Sequence, residues 1–175
     1  FATSKGSLGT LAWAACIGAA QADSDRSGRI NGEELAACAQ GLIDRRGTKQ
    51  TITLQGNPKL PLSYYTDIIR ALRAAYPGVH VKALTAVEIA HLARIERRPI
   101  REVLAALKEA GLTSLPGGGA EVFSTAVRAT IAERKLTGEE WIRVHRTAHQ
   151  LGIPTNCTML YGHVESADDR LQHLA

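Results

Sequence analysis

The chain has 175 residues, 45% of them hydrophobic, and a net charge of +4; this length is enough for one domain with a substantial core. Its 21 Lys and Arg residues are spread out rather than clustered, which argues against a nucleic-acid-binding face. Its three cysteines lack CxxC or CxxxC spacing and so indicate neither a disulfide framework nor a metal site. Without a signal peptide or a run of about 18 apolar residues, the sequence predicts a soluble, cytoplasmic chain that does not bind membranes.

The first predicted feature along the chain is a calcium-binding loop at residues 23–34, with helices over residues 8–22 and 32–46 on either side. Oxygen-bearing residues stand at the positions that ligate calcium in an EF-hand loop, and Gly28 stands where the backbone must turn sharply. The alternative is an acidic, glycine-containing turn that caps the second helix. The predicted Ca²⁺ ligands are Asp23, Asp25, Ser27, the backbone carbonyl of Arg29, Asn31 and Glu34.

From residue 50 onward, short β-branched or apolar segments alternate with amphipathic helices. This alternation predicts an α/β fold with a parallel sheet, either half of a doubly wound sheet or about half of a (β/α)₈ barrel. Strands are predicted at residues 51–55, 79–84, 112–115 and 155–161. Helices are predicted at about residues 63–76, 86–96, 100–110, 123–133, 138–151 and 166–175, with Thr85, Thr137 and Ser166 as N-caps.

A run of glycines at the end of the third of these strands is a candidate ligand-binding loop. Gly117, Gly118 and Gly119 would let the backbone approach a ligand closely, and Glu121 could accept hydrogen bonds from ribose hydroxyls. The alternative is a flexible turn between a strand and a helix.

Two groups of histidines are further candidates. His163 and Glu165, at the end of the last predicted strand, could share a proton, or could simply form a cluster at the start of a helix. His145 and His149 lie four residues apart on one helix, but they lack the Glu of an HExxH motif, so a non-metal role is favoured. The catalytic residues stay unassigned.

From about residue 60 the chain resembles the aminofutalosine synthases, radical SAM enzymes of the futalosine route to menaquinone. The stretches that carry the resemblance are LPLSYYTDIIRALRAAYPGVHVKALTAVEI, EVLAALKEAGLTSLPGGGAEVF and WIRVHRTAHQLGIPTNCTMLYGHVE. The related deazaflavin-cofactor synthases fit the last stretch less well. The resemblance implies a partial (βα) barrel of radical SAM type that uses SAM and a [4Fe–4S] cluster. It places Gly117, Gly118, Gly119, Glu121 and Arg128 near SAM, and His163 and Glu165 near the substrate.

The chain departs from this family where the cluster ligands are expected. The family carries a CxxxCxxC loop whose three thiolates hold the cluster, whereas Cys16, Ala20 and Asp23 stand at those positions here. One thiolate cannot hold the cluster, so the resemblance implies an enzyme that is catalytically incomplete as given.

The first 62 residues resemble the C-terminal part of bacterial caspase-like peptidase proteins, some of which carry such a calcium loop. The sequence therefore predicts two parts, an EF-hand-like segment over residues 1–47 and a partial barrel over residues 48–175, with a junction near residues 60–65. The alternative function is a calcium-binding segment fused to an inert α/β fragment. The open edges of a partial barrel would favour self-association.

Overall fold

The computed structural model describes residues 2–3, 6–7, 51–54 and 59–175. Two short strands, β1 (Ala2–Thr3) and β2 (Gly6–Ser7), pair antiparallel. Two longer strands, β3 (Thr51–Leu54) and β4 (His80–Ala83), pair in parallel, with Thr51 opposite His80. The helices are α1 (Leu62–Ala75), α2 (Ala86–Ile95), α3 (Ile100–Ala110), α4 (Thr125–Ile131), α5 (Gly138–Gln150) and α6 (Ala167–Leu174). The predicted calcium loop and the helices beside it lie outside these residues.

Three of the helices begin at the N-caps that the sequence predicts. In each, the Ser or Thr side chain accepts a hydrogen bond from the amide three residues on, and the carboxylate at that position accepts from the cap's own amide. This reciprocal bonding fixes where each helix starts with side chains that are close in sequence. The pairs are Thr85 with Glu88 for α2, Thr137 with Glu140 for α5, and Ser166 with Asp169 for α6.

The sheet continues beyond β4 through single bridges rather than full strands. Lys82 bridges Ser114, and Leu115 bridges Thr155, both in parallel, so the segments lie side by side in chain order. The strands predicted at residues 112–115 and 155–161 are therefore reduced to isolated bridges. Pro116 explains why the pairing with β4 is short, because it has no amide hydrogen to donate to the Ala83 carbonyl, the next acceptor in that ladder.

Four of the described helices, α1, α2, α3 and α5, pack against one face of this sheet. Val81 and Ala83 of β4 are fully buried in a single apolar core that includes residues of α1, α2, α3 and α5. His80 and Lys82 alternate with them along the strand and are not buried. A doubly wound sheet would carry helices on both faces, whereas a barrel carries them only outside. Within the described part of the chain, the packing of α1, α2, α3 and α5 is the arrangement expected of a partial barrel.

The C-terminal end of the described chain exposes several large apolar side chains. They are Leu160, Tyr161, Val164, Leu171 and Leu174. Self-association through the open edges of the partial barrel stays a prediction. Among the described helices, none is both long enough and apolar enough to cross a membrane.

Candidate functional site

The glycine-rich loop after Leu115 is held in place through its carbonyl groups. The Gly117 carbonyl accepts a hydrogen bond from the Thr158 hydroxyl at 2.8 Å, and the Gly118 carbonyl accepts from the indole Nε1 of Trp141 at 3.2 Å. Within residues 59–175, the amides of Gly117, Gly118 and Gly119 have no acceptor. The loop thus has its acceptors satisfied and its donors available, which suits a ligand that carries oxygen acceptors.

Close packing against the rest of the chain requires glycine in this loop. A Cβ atom on Gly117 would lie 2.7 Å from the backbone oxygen of Asn156. Gly119 has a φ of +90°, in the left-handed region, and a Cβ there would lie 2.7 Å from Cγ2 of Val87. The glycines therefore bring the loop against the neighbouring strand segment and the start of α2.

Arg128, on α4, is hydrogen-bonded to the C-terminal part of the same loop. Its side chain is buried, and its two Nη atoms donate to the carbonyls of Gly119 at 3.2 Å and Val122 at 3.1 Å, and also to those of Ala120 and Leu136. Burial lowers the pKa of Arg128, an effect that the nearby Glu121 carboxylate opposes. The Nη donors of Arg128 are thus used within the protein.

Glu121 lies at the end of the loop in an unusual conformation. Its φ of +49° is in the left-handed region, which residues other than glycine rarely adopt. The carboxylate pairs with Lys135, and the backbone carbonyl accepts from the Leu160 amide at 2.9 Å. Three contacts from distant parts of the chain, those of Lys135, Leu160 and Arg128, therefore meet at this corner.

A stack of aromatic and imidazole rings is joined to the loop through Trp141, which donates to the Gly118 carbonyl. The rings of Trp141 and His145 stack with centroids 3.5 Å apart, Phe123 packs against Trp141, and His173 stacks on Phe123 at 4.3 Å. His145 is only 4% exposed, and neither of its ring nitrogens has a hydrogen-bond partner among the described residues. Burial lowers the pKa of His145 to about 4. The sequence did not single out Trp141, although it joins this stack to the glycine loop.

The pKa of His145 predicts a pH-dependent stability. Below its ordinary pKa of 6.5 the unfolded chain binds a proton that the folded chain does not accept until about pH 4. The free energy of unfolding should therefore fall as the pH is lowered from 6.5 to 4, and level off below that for this group. Urea unfolding at several pH values should show a shallower dependence for His145→Gln than for the wild type. Equal slopes for the two proteins would contradict the assignment.

The other histidine of the pair connects two segments of the chain. His149 Nε2 lies 2.8 Å from the Thr155 hydroxyl and ties α5 to the last bridged segment. Among residues 59–175, no group of three or more His, Cys, Asp and Glu side chains could hold a metal ion. Cys157, the one cysteine of that part of the chain, has its Sγ 3.6 Å from Nε2 of His173.

His163 and Glu165 lie together, as the sequence suggests. The Glu165 carboxylate accepts from the amides of Gly162 at 2.7 Å and His163 at 2.9 Å, which holds its pKa at about 2. His163 Nε2 donates to the Leu160 carbonyl at 2.9 Å, while Nδ1 accepts from the Val164 amide and lies 3.2 Å from Glu165. This arrangement matches a carboxylate that organises the turn before α6.

The sequence missed a polar group on the sheet face opposite the helices. It comprises His80, Lys82, Ser114 and Asn156, which come from three successive sheet segments. The alternation of polar and apolar residues over residues 79–84 predicts a strand with one polar and one apolar face. The sequence does not show which side chains of other segments would lie beside the polar face.

The predicted calcium ligands Asp23, Asp25, Ser27, Arg29, Asn31 and Glu34 lie outside the described residues, as do Cys16 and Cys38. The calcium site therefore stays a prediction. The same is true of the division at residue 47 and of the resemblance to caspase-like proteins.

A family model described as the radical SAM superfamily matches residues 19–175. The chain belongs to the radical SAM superfamily. The matched range includes the predicted calcium loop as well as the partial barrel. Radical SAM membership is consistent with the parallel, one-sided helix–sheet arrangement.

Individual relatives agree with the resemblance found in the sequence. The chain is 56% identical over 127 residues to the aminodeoxyfutalosine synthase of Thermus thermophilus, a match that covers 73% of this chain and 34% of the relative. It is 42% identical over 142 residues to that of Streptomyces coelicolor, covering 81% and 37%. It is 40% identical over 125 residues to the 5-amino-6-(D-ribitylamino)uracil–L-tyrosine 4-hydroxyphenyl transferase 1 of Methanosarcina acetivorans, covering 70% and 33%. The chain thus spans about a third of the length of these relatives.

Proposed function

We propose that this chain forms the SAM-binding and substrate-binding part of an aminodeoxyfutalosine-synthase-like radical SAM enzyme, which would act on the futalosine route to menaquinone. The observation that carries the proposal is the glycine loop, whose carbonyls are all bound by the protein while the amides of Gly117–Gly119 have no acceptor in the described chain. The higher identity to the Thermus synthase than to the 4-hydroxyphenyl transferase favours the first reaction over the second.

The residues of the loop fit SAM as a ligand. The amides of Gly117, Gly118 and Gly119 would donate to its oxygen atoms, and Glu121 would accept from its hydroxyl or amino groups. Arg128 would act indirectly, because its Nη donors are bound to the loop carbonyls. When bound, SAM would supply a carbon radical after it accepts one electron from an iron–sulfur cluster, and the packed loop would help to shield that radical from water.

The [4Fe–4S] cluster does not fit the described part of the chain. Residues 59–175 contain a single cysteine, Cys157, and it lies beside His173 rather than beside other thiols. The whole sequence has no CxxxCxxC motif. We therefore expect this chain to cleave no SAM unless cluster ligands come from another source, and no step of the reaction is assigned to its cysteines.

His163 and Glu165 would line the substrate end of the site. Glu165 is fixed by two backbone amides, and the ring of His163 is partly exposed beside it. Since His163 is bonded through both ring nitrogens to the backbone, it would shape the substrate cavity rather than transfer protons.

A chimera tests the proposed reaction. The 127 residues of the Thermus synthase that match this chain would be replaced by the corresponding residues of this chain. If the two segments perform the same task, the chimera should form the product of the Thermus enzyme within about tenfold of the parent rate. A tenfold difference corresponds to about 1.4 kcal/mol of activation free energy. A folded chimera that transfers a 4-hydroxyphenyl group instead would assign the chain to the other reaction.

A further inference from the structure

The indole ring of Trp141 lies directly against the glycine loop. Its Nε1 donates to the Gly118 carbonyl at 3.2 Å, and a Cβ atom on Gly119 would lie 3.6 Å from Cδ1 of the same ring. The residue is buried, and the ring of His145 stacks on the indole at a centroid distance of 3.5 Å. Because packing fixes the plane of the indole, it also fixes the direction in which the Nε1–H group points.

The hydrogen bond from Trp141 determines where the next backbone amide points. A trans peptide is planar, so its N–H points away from its C=O, and the described peptides are all trans. The carbonyl of Gly118 and the amide of Gly119 belong to one peptide. Since the indole binds this carbonyl on one side of the loop, the Gly119 N–H must point to the other side.

The two neighbouring peptides of the loop are bound in the same way by side chains of other segments. The Thr158 hydroxyl donates to the Gly117 carbonyl at 2.8 Å, which directs the Gly118 N–H. Arg128 Nη2 donates to the Gly119 carbonyl at 3.2 Å, which directs the amide that follows it. Each of these three peptides therefore has its own side chain that sets its direction.

Peptides between glycines depend on such bonds more than others do. Glycine adopts positive and negative φ about equally readily, so a peptide between two glycines can turn over at little steric cost. In the part of the chain from residue 59 onward, the amides of Gly118 and Gly119 have no acceptor of their own that would hold them. The side chains that bind the carbonyls are therefore the contacts that orient these donors before a ligand binds.

We propose that Trp141 is a positioning residue of the ligand site. By holding the Gly118 carbonyl, it directs the Gly119 N–H toward an oxygen atom of the bound ligand, which Trp141 itself does not contact. The inference rests on the proposed function for the identity of this ligand, SAM. A donor that is already oriented needs no rearrangement on binding. Removal of the indole N–H should therefore weaken SAM binding about tenfold, the contribution of one hydrogen bond.

Replacement of one group in the indole ring tests this role in the full chain. Trp141→benzothienylalanine keeps the shape of the side chain but has sulfur in place of the N–H group. Residual dipolar couplings of an isotopically labelled, weakly aligned sample report the direction of each backbone N–H. Compared with the unsubstituted chain, the Gly119 coupling should change. The couplings of Gly118, whose peptide is held by Thr158, and of helix α3 should stay the same.

Thr158→Val is the matched control for this substitution. It removes the hydroxyl that binds the Gly117 carbonyl but keeps the branched shape of the side chain. In this variant the Gly118 coupling should change and the Gly119 coupling should not. The proposal is overturned if the Gly119 coupling is the same with and without the indole N–H, or if Thr158→Val changes it equally.

Calorimetric titration of the same proteins with SAM tests the consequence for binding. The Kd should be about tenfold higher with benzothienylalanine at position 141 than with tryptophan. Equal affinity despite a changed Gly119 coupling would overturn the proposal, because the direction of that amide would then not matter to the ligand. If the unsubstituted chain binds no SAM, the proposed function fails, whereas the couplings still support or overturn the orientation of the loop by Trp141.

Discussion

Replacing Arg128 by alanine should lower the free energy of unfolding by about 3 kcal/mol or more. The guanidinium group is buried and donates to the carbonyls of Gly119, Ala120, Val122 and Leu136. The substitution removes charge-assisted hydrogen bonds and leaves buried carbonyls without donors, which is the costly direction of such a change. Urea unfolding should show a lower midpoint with an unchanged slope.

Two further variants separate the hydrogen bonds of Arg128 from its charge. Arg128→Lys keeps the charge but cannot reach carbonyls on both sides, so it should recover only a minor part of the stability. Arg101→Ala removes an exposed arginine from α3 and should change stability by no more than about 0.5 kcal/mol. A loss of less than about 1 kcal/mol in Arg128→Ala would show that the loop does not depend on this side chain.

Gly117→Ala should destabilise the protein by about 1–3 kcal/mol. The added methyl group would lie 2.7 Å from the Asn156 oxygen and 2.9 Å from two neighbouring backbone carbons. Backbone atoms cannot rotate away as a side chain can, so the loop and residues 156–157 must separate. The same movement would lengthen the hydrogen bond from Thr158 to the Gly117 carbonyl. The midpoint of urea unfolding measures the loss.

Gly78→Ala is the matched control for this substitution. No atom lies within 4 Å of a Cβ placed on Gly78, and its φ is not in the left-handed region. It should therefore leave the unfolding midpoint unchanged or raise it slightly, since alanine restricts the unfolded chain. If both alanine variants were equally stable, close packing at Gly117 would not be the reason for glycine there.

Local signals made most of the helices predictable from the sequence. The capping boxes at Thr85, Thr137 and Ser166 involve residues three apart, so their effect is visible in the sequence alone. The strands at residues 112–115 and 155–161 were overpredicted, because a ladder depends on partners far along the chain. Their composition did not reveal that Pro116 would end the pairing of residues 112–115 with β4 after one bridge.

In the candidate site, too, features formed by contiguous residues were predictable, and features formed by contacts distant in sequence were not. The glycine loop was predictable because the motif is contiguous, whereas the role of Arg128 depends on carbonyls spread from residue 119 to residue 136. Lys82 was missed for a related reason. Its alternation with buried residues was evident, but only the structure shows that α1, α2, α3 and α5 pack against the opposite face of the strand.

The rate of SAM consumption by the chimera with the Thermus synthase tests the assignment of the glycine loop most directly. We predict consumption within about tenfold of the parent enzyme, and a further loss when Gly117→Ala is introduced into the chimera while Gly78→Ala has no effect. A folded chimera that carries its iron–sulfur absorbance but consumes no SAM would contradict the assignment.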